Sequence, residues 1–154
     1  MPAQIIRIAG IKDQQVLRDQ LDDYLEELRA FAPVEATYPY FEGYWTEPER
    51  WPYVIEVDRG AIGFAFVNRW SPSGRGTDYA VAEFYVAPGW RGRGHGTEAA
   101  CQVFRKHCGQ WEIAFDNGNL KARAFWPRAI MKAGVAAFER IESADRTILR
   151  FSNG

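Results

Sequence analysis

The chain is poor in several residue types and patterns, and each shortage argues against a class of protein. It has only two cysteines and two histidines among 154 residues, and no apolar run reaches the roughly 18 residues that a membrane-spanning helix needs. The formal net charge of −1 argues against a dedicated nucleic-acid binder. The N-terminus has no signal-peptide pattern. We therefore expect a cytoplasmic protein with neither a membrane nor a nucleic acid as its partner.

The two cysteines are expected to be reduced. Cys101 and Cys108 lie seven residues apart on one predicted helix, a rise of about 10.5 Å. A disulfide accepts a Cα separation of roughly 4.4–6.8 Å, so the two cannot be joined. Together with His107 they are spread over two helical turns and cannot converge on one ion. We predict no metal site.

The composition predicts one soluble domain that covers residues 1–154. Hydrophobic residues make up 47% of the chain and charged residues 25%, which is ordinary for a globular domain of this length. Aromatic residues reach 15%, with six tryptophans. So many rings indicate either an aromatic-lined pocket or a tryptophan-rich core.

Hydrophobic periodicity and turn residues predict a mixed α/β sheet with a parallel centre and antiparallel flanks. Asp13 is predicted to cap the first helix, and Asn119 the last, in which Pro127 predicts a kink or an early end. The order strand, helix, strand after residue 79 implies a right-handed parallel crossover. Strands are predicted at 4–8, 53–57, 61–68, 79–86, 111–115, 135–142 and 147–151, and helices from 13, at 97–108 and from 119.

Residues 37–52 are irregular, with four prolines or glycines among six aromatic residues. One interpretation is a loop, with one helical turn at most, that its rings attach to the body of the domain. The other is a wall or lid of a substrate site, since long loops in compact domains are often functional. In that case Tyr40 and Tyr44 are candidates to contact the substrate.

A glycine-rich loop, Arg91-Gly92-Arg93-Gly94-His95-Gly96, joins a predicted strand to a predicted helix. Glycines let the backbone turn tightly and approach a ligand, and a helix N-terminus presents free N–H groups and a positive dipole end. The loop therefore predicts an anion site, most commonly for phosphate. It lacks the Gly-Lys-Ser/Thr ending of a P-loop, and its place late in the chain, after an antiparallel hairpin, argues against a Rossmann fingerprint.

The run from Glu83 to Pro88, the pattern Arg91-x-x-Gly94-x-Gly96, and the helix, strand and Asn119 that follow resemble the GNAT superfamily of N-acetyltransferases. The resemblance implies that acetyl-CoA lies where the strand ending at Val86 diverges from the next parallel strand. Backbone groups of Phe84, Tyr85 and Val86 would then bind the pantetheine arm. The pyrophosphate would be held by the loop, and Asn119 and Trp126 would line the arm. The loop residues are Arg91, Gly92, Arg93, Gly94, His95, Gly96 and Thr97.

Acetyl transfer to an amine needs a base for the amine and a proton for the leaving thiolate. Glu83 is the best candidate base, because it lies on the central strand just before the expected divergence. A solvent-facing or salt-bridged strand residue is the alternative. The family usually places a thiolate-protonating tyrosine seven residues after the capping asparagine, and here that position is Trp126. An indole cannot release a proton near neutral pH.

The sequence thus predicts an enzyme, an N-acetyltransferase that uses acetyl-CoA as donor and the amine of a small molecule or a protein as acceptor. The alternative is a CoA-binding or regulatory module with little or no turnover, which Trp126 favours. The acceptor and the oligomeric state, a homodimer included, stay open at this point.

Overall fold

The computed structural model describes residues 3–35 and 37–154. These residues form seven strands and four helices, with single 3₁₀ turns at Ile11–Asp13 and Pro88–Trp90. The strands are β1 Gln4–Ile8, β2 Trp51–Val57, β3 Gly60–Asn68, β4 Tyr79–Val86, β5 Gly109–Asp116, β6 Glu139–Glu142 and β7 Arg146–Asn153. The helices are α1 Gln14–Leu28, α2 Gly43–Thr46, α3 His95–Lys106 and α4 Leu120–Lys132.

All seven strands belong to one sheet in the order β1-β2-β3-β4-β5-β7-β6. Only the β4–β5 pair at its centre is parallel, and α3 is the connection between these two strands. The other neighbours are antiparallel. This arrangement confirms the predicted mixed sheet with a parallel centre and antiparallel flanks.

The two parallel strands separate soon after they meet. Residues 79–81 of β4 pair with residues 111–113 of β5, and no pair is formed beyond Val81. On the other side of β4, Phe66 faces Glu83 while Val67 faces Val81, so Ala82 is an extra residue in β4. Such a bulge bends its strand and increases the local twist. The bulge therefore accounts for the divergence that opens the sheet at its centre.

Both faces of the sheet are covered, because alternate residues of the central strands point to opposite sides. In β3, Phe64 and Phe66 pack on one face with α1 and the segment around α2. Ala65 and Val67 pack on the other face with α3 and α4. All four are fully buried. The domain is thus a three-layer sandwich with a hydrophobic core on each side of the sheet.

Several predicted boundaries were wrong by a few residues. The helix after the glycine loop begins at His95 and ends at Lys106 instead of spanning 97–108. Gly94 has a left-handed φ of 86° and sits directly before the first helical residue, so the loop ends earlier than the sequence indicated. The last hairpin pairs only Glu139–Glu142 with β7 instead of starting at 135. Val135 is buried in the core without joining the sheet.

Two local predictions at helix ends also differ from the structure. Asp13 lies at the N-cap position of α1, but its carboxylate accepts from the Gly10 N–H at 2.7 Å and binds Arg7 at 2.9 Å instead of capping that helix. Pro127 does not end α4, which continues to Lys132. Trp126, Ala129 and Ile130 are buried against the sheet on this helix. Tertiary packing thus holds the helix across the proline.

Candidate active site

The glycine loop and the start of α3 form one end of the site. Gly92 and Gly94 adopt left-handed φ angles of 78° and 86°, a region that glycine enters without strain. The first helical hydrogen bond runs from the Glu98 N–H to the Gly94 carbonyl at 3.1 Å. The amides of residues 95–97 therefore lack partners within the helix, and the positive end of the helix dipole points the same way. This geometry suits an anion such as a phosphate.

Gly96 brings the loop into contact with the following helix. A Cβ atom at this position would lie 3.1 Å from a ring carbon of Phe125 and 3.8 Å from Val86. A side chain at this position would therefore crowd the Phe125 ring, whereas glycine lets the start of α3 pack directly on α4 and on the end of β4. The contact places the free amides beside the opening between β4 and β5.

The charged side chains of the loop are largely engaged elsewhere. Arg91 donates to the Val86 carbonyl at 2.7 Å and to both carboxylate oxygens of Glu27 at 2.9 Å, which ties the loop to α1. The Arg93 guanidinium lies 5.5 Å from the centre of the Trp90 ring. The His95 ring contacts Gln4, with 2.7 Å between Nδ1 and Oε1. His95 and Arg93 therefore offer mainly backbone to a ligand.

A cavity of about 1630 Å³ begins at this loop and continues through the opening between the two parallel strands. Residues of α3 and α4 line it on one side, and residues from α1 and the aromatic segment 37–52 line it on the other. Since β4 has no strand partner on the β5 side beyond Val81 among the described residues, its backbone edge at 84–86 borders the cavity. A long, thin ligand and a second molecule fit into such a space together.

Glu83 lies in the wall of this cavity, two residues beyond the last β4–β5 pair. The Tyr24 hydroxyl donates to Glu83 Oε1 at 3.0 Å. Burial raises the pKa of Glu83 to about 7, although the hydroxyls of Tyr24 and Tyr38 act in the opposite direction by favouring the ionised form. Glu83 therefore changes charge near neutral pH, as a general base requires.

Tyr24 is the site residue that the sequence reasoning missed. It belongs to the apolar stripe of α1, whose Leu17, Leu21 and Leu25 are buried. Burial raises the pKa of Tyr24 well above its ordinary value, so the phenol stays protonated and acts as the donor in its bond to Glu83. The sequence could have indicated this role, because Tyr24 is a tyrosine on a helix face otherwise formed by leucines. A buried tyrosine hydroxyl usually has a hydrogen-bond partner.

Trp126 occupies the wall of the cavity on α4. Asn119 caps this helix as predicted, since its Oδ1 accepts from the Ala122 N–H at 3.1 Å. Seven residues later, Trp126 is only 6% exposed and meets the rings of Phe84 and Phe125 edge-on, with centres 5.0 and 4.8 Å away. The indole thus packs in the core and borders the cavity at the same time.

The aromatic segment 37–52 is attached to the core and lines the cavity. It contains the one-turn helix α2, and its Phe41 and Tyr44 are buried against β3. Tyr44 stacks obliquely on Phe66 with ring centres 4.6 Å apart, whereas Tyr40 is 57% exposed. Tyr40 and Tyr44 both line the cavity. The segment therefore packs on the core and forms part of the cavity wall, and its contact with a substrate stays a prediction.

The described residues offer little support for a cysteine nucleophile or a metal site near the cavity. Burial raises the pKa of the Cys101 thiol, which disfavours the nucleophilic thiolate. Among residues 3–35 and 37–154, no group of three or more His, Cys, Asp or Glu side chains is arranged to hold a metal ion. Over the same residues, no helix is long and apolar enough to cross a bilayer.

Comparison with known proteins identifies the family. The family model of the acetyltransferase (GNAT) family matches residues 15–130, so the chain belongs to the GNAT acetyltransferases. No curated protein matches at a significant level.

Solved structures agree with this fold. An acetyltransferase from Thermus thermophilus superposes with a TM-score of 0.72 at 15% identity, over 99% of this chain and 100% of that one. A ribosomal-protein-alanine N-acetyltransferase from Brucella melitensis gives 0.69 at 18%, over 97% and 99%. The Salmonella typhimurium protein yncA, solved with its cofactor acetyl-CoA, gives 0.65 at 15%, over 97% and 94%. At these identities the likeness concerns the fold.

Proposed function

We propose that the protein moves the acetyl group of acetyl-CoA to an amine of a small molecule or a protein, by direct attack while donor and acceptor are both bound. The observation that carries this proposal is the position of Glu83. Its carboxylate lies just beyond the point where β4 and β5 separate, in a cavity that also reaches the glycine loop. A carboxyl group with a pKa of about 7 can accept a proton from an ammonium group near neutral pH.

The donor would bind along the loop and the free edge of β4. The amides at the start of α3 would hold the pyrophosphate, and the backbone at Phe84, Tyr85 and Val86 would bind the pantetheine arm. Bound acetyl-CoA supplies the activated thioester. The residues proposed to contact it are Phe84, Tyr85, Val86, Arg91, Gly92, Arg93, Gly94, His95, Gly96, Thr97, Asn119 and Trp126. Of these, Arg93 and His95 would act through their backbone.

Glu83 accepts a proton from the incoming ammonium group, so that the nitrogen lone pair can attack the thioester carbon. A C–N bond forms while the C–S bond breaks. The nitrogen then loses its second proton and the departing sulfur gains one. We assign this transfer to water in the cavity, because the indole of Trp126 has no proton to release near neutral pH. Tyr40 and Tyr44 would contact the acceptor.

A second function, a CoA-binding module with little or no turnover, is favoured by one specific observation. Trp126 stands where the family usually has its acidic tyrosine, and it packs against Phe84 and Phe125. A ring held in this way can pack beside a bound arm without giving a proton.

Two measurements separate these functions. A thermal shift with CoA should raise the melting temperature under both, because any ligand that binds only the folded state stabilises it. Release of free thiol from acetyl-CoA, followed across a panel of amines at pH 8, should occur only with an acetyltransferase. Stabilisation by CoA with no thiol release above the rate without protein would establish the binding module instead.

A further inference from the structure

The end of the cavity beyond Glu83 has an aromatic rim, formed by Phe31, Tyr40 and Trp70. These three rings are 38%, 57% and 65% exposed, and they are the exposed large aromatic side chains in the described part of the chain. All three line the same cavity. Single apolar side chains on a surface are ordinary, but three exposed rings from separate segments on the wall of one cavity are typical of a ligand surface.

The rim is held in place by its neighbours. Tyr40 packs edge-on against Tyr38 with ring centres 5.6 Å apart, and the Arg50 guanidinium lies 5.8 Å from its ring centre. Arg50 is in turn paired with Glu47 at 2.8 Å. Since this cation already has a partner, the rim favours an uncharged group over a carboxylate.

The loop that carries Trp70 is also fixed. The backbone N–H of Trp70 donates to Asn68 Oδ1 at 3.1 Å, and Asn68 Nδ2 donates to the Tyr44 hydroxyl at 3.4 Å. Asn68 therefore links Trp70 to the wall that contains Tyr44. A surface carried on an anchored backbone loses less conformational freedom on binding a ligand than one carried on a mobile loop.

The register of the sheet relates the strand end beside Trp70 to the position of Glu83. Asn68, the residue at which β3 ends, pairs with Ala80, three residues before Glu83 on β4. Three residues of a strand span about 10 Å. The glycine loop follows the opposite end of β4, after Val86. An acceptor nitrogen at Glu83 would thus have the donor on one side and the aromatic rim on the other, within reach of a short substituent.

We propose that the acceptor is a small primary amine that carries an aromatic ring on a short alkyl linker, with the nitrogen at Glu83 and the ring between Tyr40 and Trp70. This inference rests on the proposed acetyl transfer and adds its substrate class. The hydrogen bond from the nitrogen to the carboxylate, the linker of two or three carbons and the stacked ring together span roughly this interval of about 10 Å. Flat, polarisable rings gain most from such aromatic neighbours.

The test compares 2-phenylethylamine with butylamine, whose amino groups have similar basicity, and with spermidine and an alanine-initiated peptide. We expect kcat/KM for 2-phenylethylamine to exceed that for each of the others at least tenfold. In Trp70→Ala the KM for 2-phenylethylamine should rise about tenfold, while the KM for butylamine and the affinity for CoA stay unchanged. Ile11→Ala, an exposed apolar residue outside the cavity, is the control and should alter neither KM.

The outcomes separate this inference from the function on which it rests. Preference for butylamine, spermidine or the peptide, or equal effects of Trp70→Ala on both simple amines, would overturn the aromatic acceptor and leave acetyl transfer standing. If no amine causes thiol release, calorimetry measures whether 2-phenylethylamine binds to the protein with CoA bound. Binding that Trp70→Ala weakens would then support the aromatic site and refute acetyl transfer, and no binding would refute the site.

Discussion

The hydroxyl of Tyr24 donates to Glu83 Oε1 at 3.0 Å, and this bond joins α1 to the central strand of the sheet. Tyr24 is itself fixed by edge-on contacts with Phe64 and Tyr85, whose ring centres lie 5.6 and 6.1 Å away. The carboxylate therefore has one defined orientation toward the cavity. A hydrogen bond to the ionised form also favours that form, so Tyr24 both positions Glu83 and limits the rise of its pKa.

Tyr24→Phe should move the pH dependence of acetyl transfer. In the unmodified protein, kcat/KM should rise as Glu83 loses its proton near pH 7. Without the hydroxyl, the ionised form of Glu83 loses a hydrogen bond and its pKa rises. The rising part of the plot of kcat/KM against pH, here called the limb, should therefore shift upward by about one pH unit. The rate at pH 6.5 should fall roughly tenfold and recover by pH 9.

Tyr53→Phe is the matched control for this variant. The Tyr53 hydroxyl lies 2.6 Å from His107 Nε2, and neither residue lines the cavity. The limb should stay near pH 7 in this variant. An unshifted limb in Tyr24→Phe would show that the bond does not tune the base.

Glu83→Gln should stabilise the fold at high pH while it abolishes activity. The pKa of Glu83 is about 7 in the folded state and 4.5 for the free side chain, so the folded state holds the proton more tightly. The stability that this proton contributes is fully present below pH 4.5 and is lost as the pH rises through 7. Above pH 7 the Glu83 carboxylate is charged and buried, which lowers the stability of the folded state. An uncharged glutamine at this position avoids that cost.

The expected gain is about 3 kcal/mol at pH 8, or about 9 °C in melting temperature, and less than about 1 kcal/mol at pH 5. Glu49→Gln is a surface control whose effect should stay within about 0.5 kcal/mol at either pH. Thermal unfolding at both pH values measures the difference. A melting temperature of Glu83→Gln below that of the unmodified protein at pH 8 would contradict the raised pKa.

Gly94→Ala should weaken CoA binding about tenfold. Gly94 has a φ of 86°, which alanine adopts only at a cost of about 1–2 kcal/mol. The loop in Gly94→Ala should therefore change conformation, and its amides should no longer point toward one phosphate group. Gly74→Ala is a matched control, since Gly74 has a φ of 77° and the methyl group of an alanine would meet no other atom within 4 Å at either position. Both variants should lose similar stability, whereas calorimetry with CoA should detect a loss of affinity in Gly94→Ala alone. Equal CoA affinity in the two would refute the phosphate site.

Trp126→Tyr should increase the rate of thiol release about tenfold, a modest share of what a positioned acid can supply. A phenol at this place can protonate the departing sulfur, which the indole cannot. Trp126→Phe is the control, because it makes the same reduction in ring size between Phe84 and Phe125 without adding a hydroxyl. Both variants should be destabilised to a similar degree by the smaller ring. Identical rates in the two would show that thiolate protonation does not limit turnover.

The parts of the fold that depend on short stretches of sequence were predictable. The glycine loop, the strand before it and the Asn119 cap each follow from local turn and capping chemistry. The parallel centre followed from the order strand, helix, strand. The ends of α3 and β6 could not be placed in the same way, because Gly94 and the buried Val135 acquire their roles only in the packed structure.

The inner arrangement of the site depends on contacts between residues far apart in the chain. Tyr24 and Glu83 are 59 residues apart, and His95 meets Gln4 across 91 residues. The bulge at Ala82 arises from the register with β3, which no local pattern in β4 reveals. The sequence therefore indicated Glu83 as a candidate base but not the hydroxyl that orients it.

The most direct test of the proposed mechanism is the pH dependence of acetyl transfer in the unmodified protein and in Glu83→Gln. We measure kcat/KM from thiol release with 2-phenylethylamine, or the best acceptor of the amine panel, between pH 6 and 9. The unmodified protein should show a limb near pH 7, and Glu83→Gln should lose that limb together with at least about 100-fold in rate. Full turnover in Glu83→Gln with the limb intact would contradict the assignment of Glu83 as the base.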